Sequence, residues 1–190
     1  GKFTEWLFND NRDPNECVTM NGPFGSFYLR EKSTPIVCIA GGSGLAPIRA
    51  ILEGGVNDQV KRDVIFLFGA RTQKDLYSLK EIEEIKNSWN KESSFKFIPV
   101  LNMEPEDSNW KGARGMVTDY FENEIVKKEN INLDGWQGYL CGPPPMVDAA
   151  DECLTRNGIS KDEIFYDKFT DASNSCLLYT SDAADEQFGV

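Results

Sequence analysis

The chain has 190 residues, an apolar fraction of 40% and a formal net charge of −11 at pH 7. This length suits one ordinary domain together with a fragment of another. Phosphate backbones repel so acidic a surface, so we do not expect nucleic acid as a partner. No stretch of about 18 apolar residues occurs, so we expect no transmembrane helix.

The cysteines indicate a reducing compartment. There are five, an odd number, and no two of them form a Cys-x-x-Cys pair. Cys38 lies in an apolar, strand-like run, which predicts a reduced, buried thiol and a cytoplasmic location. Because the chain has no histidine and its cysteines are not clustered, we expect neither a zinc site nor an iron–sulfur cluster within it.

Residues 1–33 lack the pattern of the rest of the chain. Thr4 to Phe8 is typical of a short helix, and Cys17 to Leu29 predicts two short strands around a glycine- and proline-containing turn. The chain also starts without a methionine, which suggests that it begins inside a longer protein. We interpret residues 1–33 as the remnant of a preceding β-rich domain.

From residue 34 to about residue 170, strands and helices alternate. The predicted strands are Pro35–Ala40, Val64–Phe68, Phe95–Leu101, Gly138–Cys141 and Glu163–Lys168. The predicted helices are Ala46–Glu53, which Gly54-Gly55 would end, Ser78–Trp89, Thr118–Lys128 with Thr118 as its N-cap, and Pro143–Asn157, while Asn102–Gly115 is a polar loop. Because parallel strands need crossover helices, this order predicts a five-stranded, doubly wound parallel α/β sheet. Ligands bind such sheets at the carboxyl ends of the strands.

Residues 171–190 are small, polar and acidic, and they predict a disordered tail. The run from Cys176 to Glu186 resembles translated sequencing-adapter sequence. We therefore interpret 171–190 as an artefact and leave it out of the fold.

A glycine-rich turn follows the first predicted strand, with the sequence Gly41-Gly42-Ser43-Gly44-Leu45-Ala46-Pro47. Glycines let a backbone approach a pyrophosphate, and the following helix offers unpaired N–H groups to the anion. Pro47 suits the first helical turn. The alternative is a tight glycine turn that binds no ligand.

Two further motifs follow strands. Cys141-Gly142-Pro143-Pro144-Pro145-Met146 comes after the fourth strand and opens a helix, so its thiol would face the ligand crevice; the alternative is a buried, small apolar residue. Gly69-Ala70-Arg71-Thr72 comes after the second strand, where dinucleotide folds meet the adenosine ribose. Arg71 has no adjacent acid and could hold a 2′-phosphate, or it could be a solvated loop cation.

The two ends of the predicted ordered chain carry weaker signals. Gly1-Lys2-Phe3-Thr4 could bind a second anion, or it could simply cap a helix. Phe169 could pack on a cofactor ring, although core packing is the commoner role of such an aromatic side chain.

Taken together, these motifs resemble the ferredoxin–NADP reductase superfamily from residue 1 to about residue 170. The resemblance includes Gly22-Pro23-Phe24-Gly25 and Gly115-Met116-Val117-Thr118-Asp119. The stretches Phe68–Tyr77 and Ile164–Phe169 are similar to the reductase components of bacterial multicomponent monooxygenases, of the soluble methane monooxygenase and phenol hydroxylase type. The resemblance implies a ferredoxin reductase-like NAD(P)-binding domain at 34–170, preceded by the end of an FAD-binding β-barrel at 1–33.

The resemblance also implies roles for matching residues. Gly1 and Thr4 would lie at the FAD pyrophosphate, Gly41 to Pro47 at the nicotinamide-dinucleotide pyrophosphate, and Ala70 and Arg71 at the adenosine. Thr118 would belong to a family turn, and Phe169 would lie near the flavin face. Cys141 would align the nicotinamide ring, with the neighbouring residues Gly142, Pro143, Pro144 and Met146 beside the cofactor.

The implied activity is hydride transfer from NADH to FAD, followed by electron transfer to an iron–sulfur centre that serves a monooxygenase. Arg71 leaves NADPH open, and a [2Fe–2S] cluster is expected only in a part of the parent protein beyond this chain. The family's Arg-x-Tyr-Ser/Thr flavin motif does not occur in the chain, so we expect most of the flavin site in the parent as well. The cofactors perform this chemistry, so it requires no acid, base or nucleophile from the protein.

Two alternatives to this activity stay open. The first is a related reductase that serves a dioxygenase, a ferredoxin or a haem acceptor. The second is a nucleotide-binding module without redox activity.

Overall fold

The computed structural model describes residues 2–9, 13, 17–19, 21–22 and 24–169. Within them, six parallel strands form one sheet in the order β4-β3-β2-β1-β5-β6: β1 (Ile36–Gly41), β2 (Val64–Ala70), β3 (Phe95–Leu101), β4 (Ala113–Arg114), β5 (Gln137–Gly142) and β6 (Ile164–Lys168). The helices are α1 (Lys2–Leu7), α2 (Leu45–Asn57), α3 (Leu79–Ser88), α4 (Val117–Tyr120) and α5 (Pro144–Arg156), and a π-helix over Phe121–Lys127 continues α4. The doubly wound parallel α/β fold is therefore confirmed, but the described sheet has six strands and not the predicted five, because β4 was not predicted.

Both faces of the sheet are covered, which explains the nearly continuous apolar strands. Along β1, Val37 and Ile39 pack with the layer that contains α4 and α5, while Ile36, Cys38 and Ala40 pack with the layer that contains α2 and α3. Cys38 is fully buried and forms no disulfide, as the sequence predicts. Burial raises the pKa of its thiol to about 12.

The strand order reverses between β1 and β5. Successive strands after β1 are added on one side of it as far as β4, and the chain then returns to place β5 on the other side. The segments that leave β1 and β5 therefore diverge at their carboxyl ends. In open α/β sheets this divergence creates the crevice in which ligands bind.

Helix α2 is longer than predicted, because it runs through Gly54 and Gly55 to Asn57. The prediction that these glycines end it was wrong. Gly55 lies against the ring of Trp89, and a Cβ atom at this position would lie 2.7 Å from a ring carbon. The glycine therefore makes room for the Trp89 ring and does not end its own helix.

Two boundaries near α4 also differ from the prediction. Met116, and not Thr118, is the N-cap of α4, and no side chain caps this end. The predicted polar loop contains β4, which pairs with Val100 and Leu101. The guanidinium of Arg114 donates a hydrogen bond to the carbonyl of Glu104 at 2.7 Å and so holds the loop folded back. A two-residue strand that depends on such a tertiary contact leaves no periodic signal in the sequence.

The two strands predicted within 17–29 are absent from the described part of that segment, so this prediction was wrong. A strand needs a neighbour with which to pair, and the described sheet pairs with none of these residues. Phe27 and Leu29 instead pack against the α2–α3 layer. The assignment of 1–33 to a flavin barrel stays a prediction, and 171–190 lies outside the described residues.

A buried arginine fixes the segment that leads into β1. Arg62 is 2% exposed, and its guanidinium donates to the carbonyls of Arg30 and Thr34 and to Oε1 of Gln137 at 2.7 Å. Burial is the main effect on its pKa, which is lowered, and the nearby hydroxyl of Tyr139 opposes this shift.

In the described part of the chain, no helix is both long and apolar enough to cross a membrane.

Candidate functional site

The turn after β1 consists of glycines except for Ser43. Gly41 ends the strand in an extended conformation, and Gly42 to Gly44 form one 3-10 turn that leads into α2. Gly42 has a φ of +53°, in the left-handed region that favours glycine. The N–H of Leu45 donates to the carbonyl oxygen of Gly42 and closes the turn.

This turn lies in direct backbone contact with the end of β5. A Cβ atom at Gly44 would lie 2.1 Å from the carbonyl oxygen of Cys141, and one at Gly142 would lie 2.8 Å from the carbonyl oxygen of Gly41. Gly142 also has a φ of +148°. The glycines therefore let the two segments meet at the point where the strand order reverses.

A cleft of about 410 Å³ opens beside this contact, across the carboxyl ends of β1, β2 and β3. Its volume lies within the range of about 300–1,000 Å³ that is typical of small-molecule sites. Its lining residues are Gly41, Gly42, Gly69, Ala70, Arg71, Asp75, Val100, Asn102, Gly115, Met116, Val117, Pro143 and Met146.

The cleft brings together residues from the three motifs that the sequence singles out. Gly41 and Gly42 come from the glycine-rich turn, Ala70 and Arg71 from the end of β2, and Pro143 and Met146 from the start of α5. The remaining predicted residues of the two glycine–proline motifs lie around it. Ser43 and Ala46 are exposed, Gly44, Leu45 and Gly142 are buried, and Pro47 and Pro144 are half-buried at the starts of α2 and α5.

Cys141 does not line the cleft. Its side chain is fully buried in the α2–α3 layer, so the structure favours the small buried residue over a thiol that faces the crevice. Burial, together with the charge of Asp167, raises the pKa of the thiol to about 12. The backbone of Cys141 contacts Gly44, whereas alignment of the nicotinamide by its side chain stays a prediction.

The predicted flavin contacts are placed only in part. Gly1 lies outside the described residues, and Thr4 lies within α1. Phe169 is exposed, and its N–H donates to the carbonyl oxygen of Gly142 at 3.0 Å. The structure thus brings this aromatic residue to the end of β5. Thr118 is half-buried inside α4, and its neighbour Val117 lines the cleft instead.

Sequence reasoning missed several lining residues, notably Asp75, Asn102 and Met116. Asn102 directly follows β3, so the rule that ligands bind at the carboxyl ends of strands could have found it. Asp75 is close enough to Arg71 for the arginine charge to affect it, although the sequence shows no adjacent acid. The carboxylate of Asp75 accepts hydrogen bonds from Thr72 Oγ1 at 2.9 Å and from the Thr72 N–H at 2.8 Å. These bonds, with the smaller effect of Arg71, hold the pKa of Asp75 below its usual value.

Residues 38–152 match the family described as the oxidoreductase NAD-binding domain. The chain belongs to this family. The matched range contains β1, the glycine-rich turn, the end of β2 and the Cys141 motif. The match begins within β1, after the segment that Arg62 holds.

Relatives of known activity share this unit. The chain is 46% identical to the xylene/toluene monooxygenase electron transfer component XylA of Pseudomonas putida, over 89% of this chain and 46% of that protein. It is 38% identical to the reductase component of propane 2-monooxygenase from Mycolicibacterium smegmatis, over 90% of this chain and 47% of that protein. The chain therefore spans about half the length of the curated relatives that it matches.

Solved structures show the same relationship. The chain resembles the Amycolatopsis cytochrome P450 reductase GcoB with a TM-score of 0.68 and 32% identity, over 89% of this chain and 48% of that one. It resembles the ferredoxin reductase in carbazole 1,9a-dioxygenase with a TM-score of 0.67 and 28% identity, over 90% of this chain and 48% of that one.

Proposed function

We propose that this chain is the nicotinamide-dinucleotide half of a flavoprotein reductase. The complete protein would pass a hydride from NADH to FAD and then electrons to an iron–sulfur centre that serves a monooxygenase. The observation that carries the proposal is the backbone contact of Gly44 with Cys141 beside the cleft, at the point where the strand order reverses. Relatives named as monooxygenase reductase or electron transfer components support it.

The residues present fit a dinucleotide. Gly41 and Gly42 offer backbone without side chains at the cleft, and the 13-residue helix α2 begins directly after them. A helix N-terminus with adjacent glycines favours an anion, so the pyrophosphate would bind here. Pro143 would lie on the nicotinamide side and Asn102 on the adenosine side.

The chain would orient the cofactor rather than react with it. The nicotinamide, when bound, supplies the hydride. The rigid contact between the turn and β5 would fix the position of the pyrophosphate, and the apolar side chains of Met146 and Val117 would exclude water from the cleft. Phe169, tied to Gly142, would cover the side from which the flavin approaches.

Asp75 supports NADH over NADPH. Its carboxylate lies in the cleft lining next to Arg71, and its lowered pKa keeps it ionised at neutral pH. A negative charge there would repel a 2′-phosphate and would offset the attraction of Arg71. We therefore expect NADH to be the preferred donor, with NADPH accepted less well.

The partners and location follow from the same proposal. The acceptor would be an oxygenase or hydroxylase component, or a ferredoxin domain that precedes it. The reduced, buried thiols of Cys38 and Cys141 fit a cytoplasmic protein. The net charge of −11 makes nucleic acid an unfavourable partner.

The test uses the complete reductase, loaded with FAD and kept free of oxygen. Addition of NADH should remove the visible absorbance of the oxidised flavin, and the oxygenase component should then accept electrons. Binding of NADH without flavin reduction would instead support the nucleotide-binding module. Faster transfer to a separate ferredoxin or a haem protein would support the related reductases.

The cofactor preference has its own test in steady-state reduction of an artificial acceptor. Equal or better rates with NADPH would contradict the preference for NADH. The variant Asp75→Asn keeps an oxygen acceptor for Thr72 but removes the charge. It should raise kcat/KM for NADPH and leave that for NADH nearly unchanged.

A further inference from the structure

Tyr77 does not line the cleft, but it forms a hydrogen bond with the glycine-rich turn. Its phenolic hydroxyl donates to the carbonyl oxygen of Gly42 at 2.9 Å, across 35 positions of sequence. Its ring packs edge-on against Phe68, with the ring centroids 5.7 Å apart and an interplanar angle of 88°. Phe68 is fully buried near the end of β2. The buried side chain of Phe68 therefore fixes the position of the Tyr77 ring, and the Tyr77 hydroxyl in turn contacts the glycine-rich turn.

A second contact ties the same segment to α2. Nη1 of Arg49, in the second turn of the helix, lies 3.3 Å from Oγ of Ser78, the residue that follows Tyr77. Desolvation raises the pKa of Tyr77, and the positive charge of Arg49 only partly opposes this shift. The hydroxyl is therefore protonated at neutral pH and remains a hydrogen-bond donor.

The turn needs such support because Gly42 carries no side chain to restrict it. A glycine with positive φ can leave that conformation at little steric cost. The N–H of Leu45 already donates to the Gly42 carbonyl, but this bond lies within the turn itself. The Tyr77 hydroxyl adds a hydrogen bond from a distant segment of the chain to this same carbonyl.

We propose that Tyr77 is a positioning residue that orients the Gly42–Ser43 peptide for a bound pyrophosphate; this rests on the proposed function. In a trans peptide the C=O group and the following N–H group point in opposite directions. Because the Gly42 carbonyl is held toward Tyr77, the Ser43 N–H points away from it. That N–H precedes α2, where backbone donors bind anions. Tyr77 would thus act on the cofactor through the turn, without touching it.

The test is calorimetric binding of NAD⁺ and of adenosine to the 190-residue chain and to Tyr77→Phe. The variant keeps the ring and its contact with Phe68 and removes only the hydroxyl. Loss of one hydrogen bond, worth about 0.5–1.5 kcal/mol, should weaken NAD⁺ binding by about two- to tenfold. Adenosine carries no phosphate, so its affinity should be unchanged. The amide NMR resonance of Ser43 should also shift in the ligand-free variant.

The matched control is Tyr120→Phe. Tyr120 packs against the opposite layer of the core, and its hydroxyl makes no hydrogen bond within the described part of the chain. This variant should bind both ligands as the unsubstituted chain does. Unchanged NAD⁺ affinity in Tyr77→Phe, or equal losses for NAD⁺ and adenosine, would overturn the positioning role and leave the proposed function intact. Failure of the unsubstituted chain to bind NAD⁺ would overturn both proposals.

Discussion

The glycine at position 44 should tolerate no side chain, although its backbone conformation permits one. Its φ of −62° and ψ of −11° are ordinary helical values, so an alanine would suffer no strain from its dihedral angles. The obstacle is the backbone of β5. The new Cβ would lie 2.1 Å from the carbonyl oxygen of Cys141 and 2.7 Å from the nitrogen of Gly142, where ordinary contact begins at 3.4 Å.

The cost of Gly44→Ala can be estimated from these distances. The turn and β5 must separate by more than 1 Å, since 3.4 Å less 2.1 Å is 1.3 Å. Overpacking typically costs about 1–3 kcal/mol, and contacts with backbone relax least, so we expect about 3 kcal/mol. For a chain of this size, that lowers Tm by roughly 6–12 °C. Displacement of the turn should also weaken NAD⁺ binding by about two- to tenfold for each hydrogen bond lost.

The matched control lies in α2, the helix that follows Gly44. Gly54→Ala places its Cβ where no atom lies within 4 Å. Alanine is a better helix former than glycine by about 0.5–1 kcal/mol, so Tm should rise by roughly 1–4 °C, with NAD⁺ affinity unchanged. Thermal unfolding of both variants measures the change in Tm, and calorimetry measures the change in NAD⁺ affinity. A Gly44→Ala chain with the stability and affinity of the unsubstituted protein would refute the reasoning.

Two further predictions concern titration. Burial raises the pKa of the Cys141 thiol to about 12, so a thiol reagent at pH 8 should modify Cys141 only after unfolding. The exposed Cys17 should react rapidly, and peptide mass spectrometry would measure both rates. Equal rates at the two positions would contradict the burial of Cys141. The pKa of Glu163 lies below its ordinary value of 4.5, because Lys32 and then Gln137 donate hydrogen bonds to it. Its contribution to stability should therefore be present above pH 4.5 and lost as the pH falls through the lowered folded-state pKa, so the Tm deficit of Glu163→Gln should shrink in acid; a deficit independent of pH would rule this out.

The sequence alone determined the order of elements and the three motifs at strand ends. Two of these signals are local. A strand with both faces buried needs consecutive apolar residues, as in Pro35–Ala40. A turn with positive φ favours glycine, as in Gly41–Gly44. For the same reason, the alternation of strands and helices predicted a parallel sheet with its ligand at the carboxyl ends. The cleft residues Gly41, Ala70 and Pro143 were found in this way.

Only the tertiary structure decided the contacts between distant segments. Tyr77 carried no local pattern, because its role depends on Gly42, which lies 35 positions away and which β1 places beside it. Gly55 was interpreted as a helix end because the sequence does not show its contact with Trp89, which follows α3. The burial of Cys141 was undecided for the same reason. The order of elements shows which residues follow a strand. Which side chains contact each other depends on how distant segments pack across the sheet, and such contacts leave no periodic pattern in the sequence.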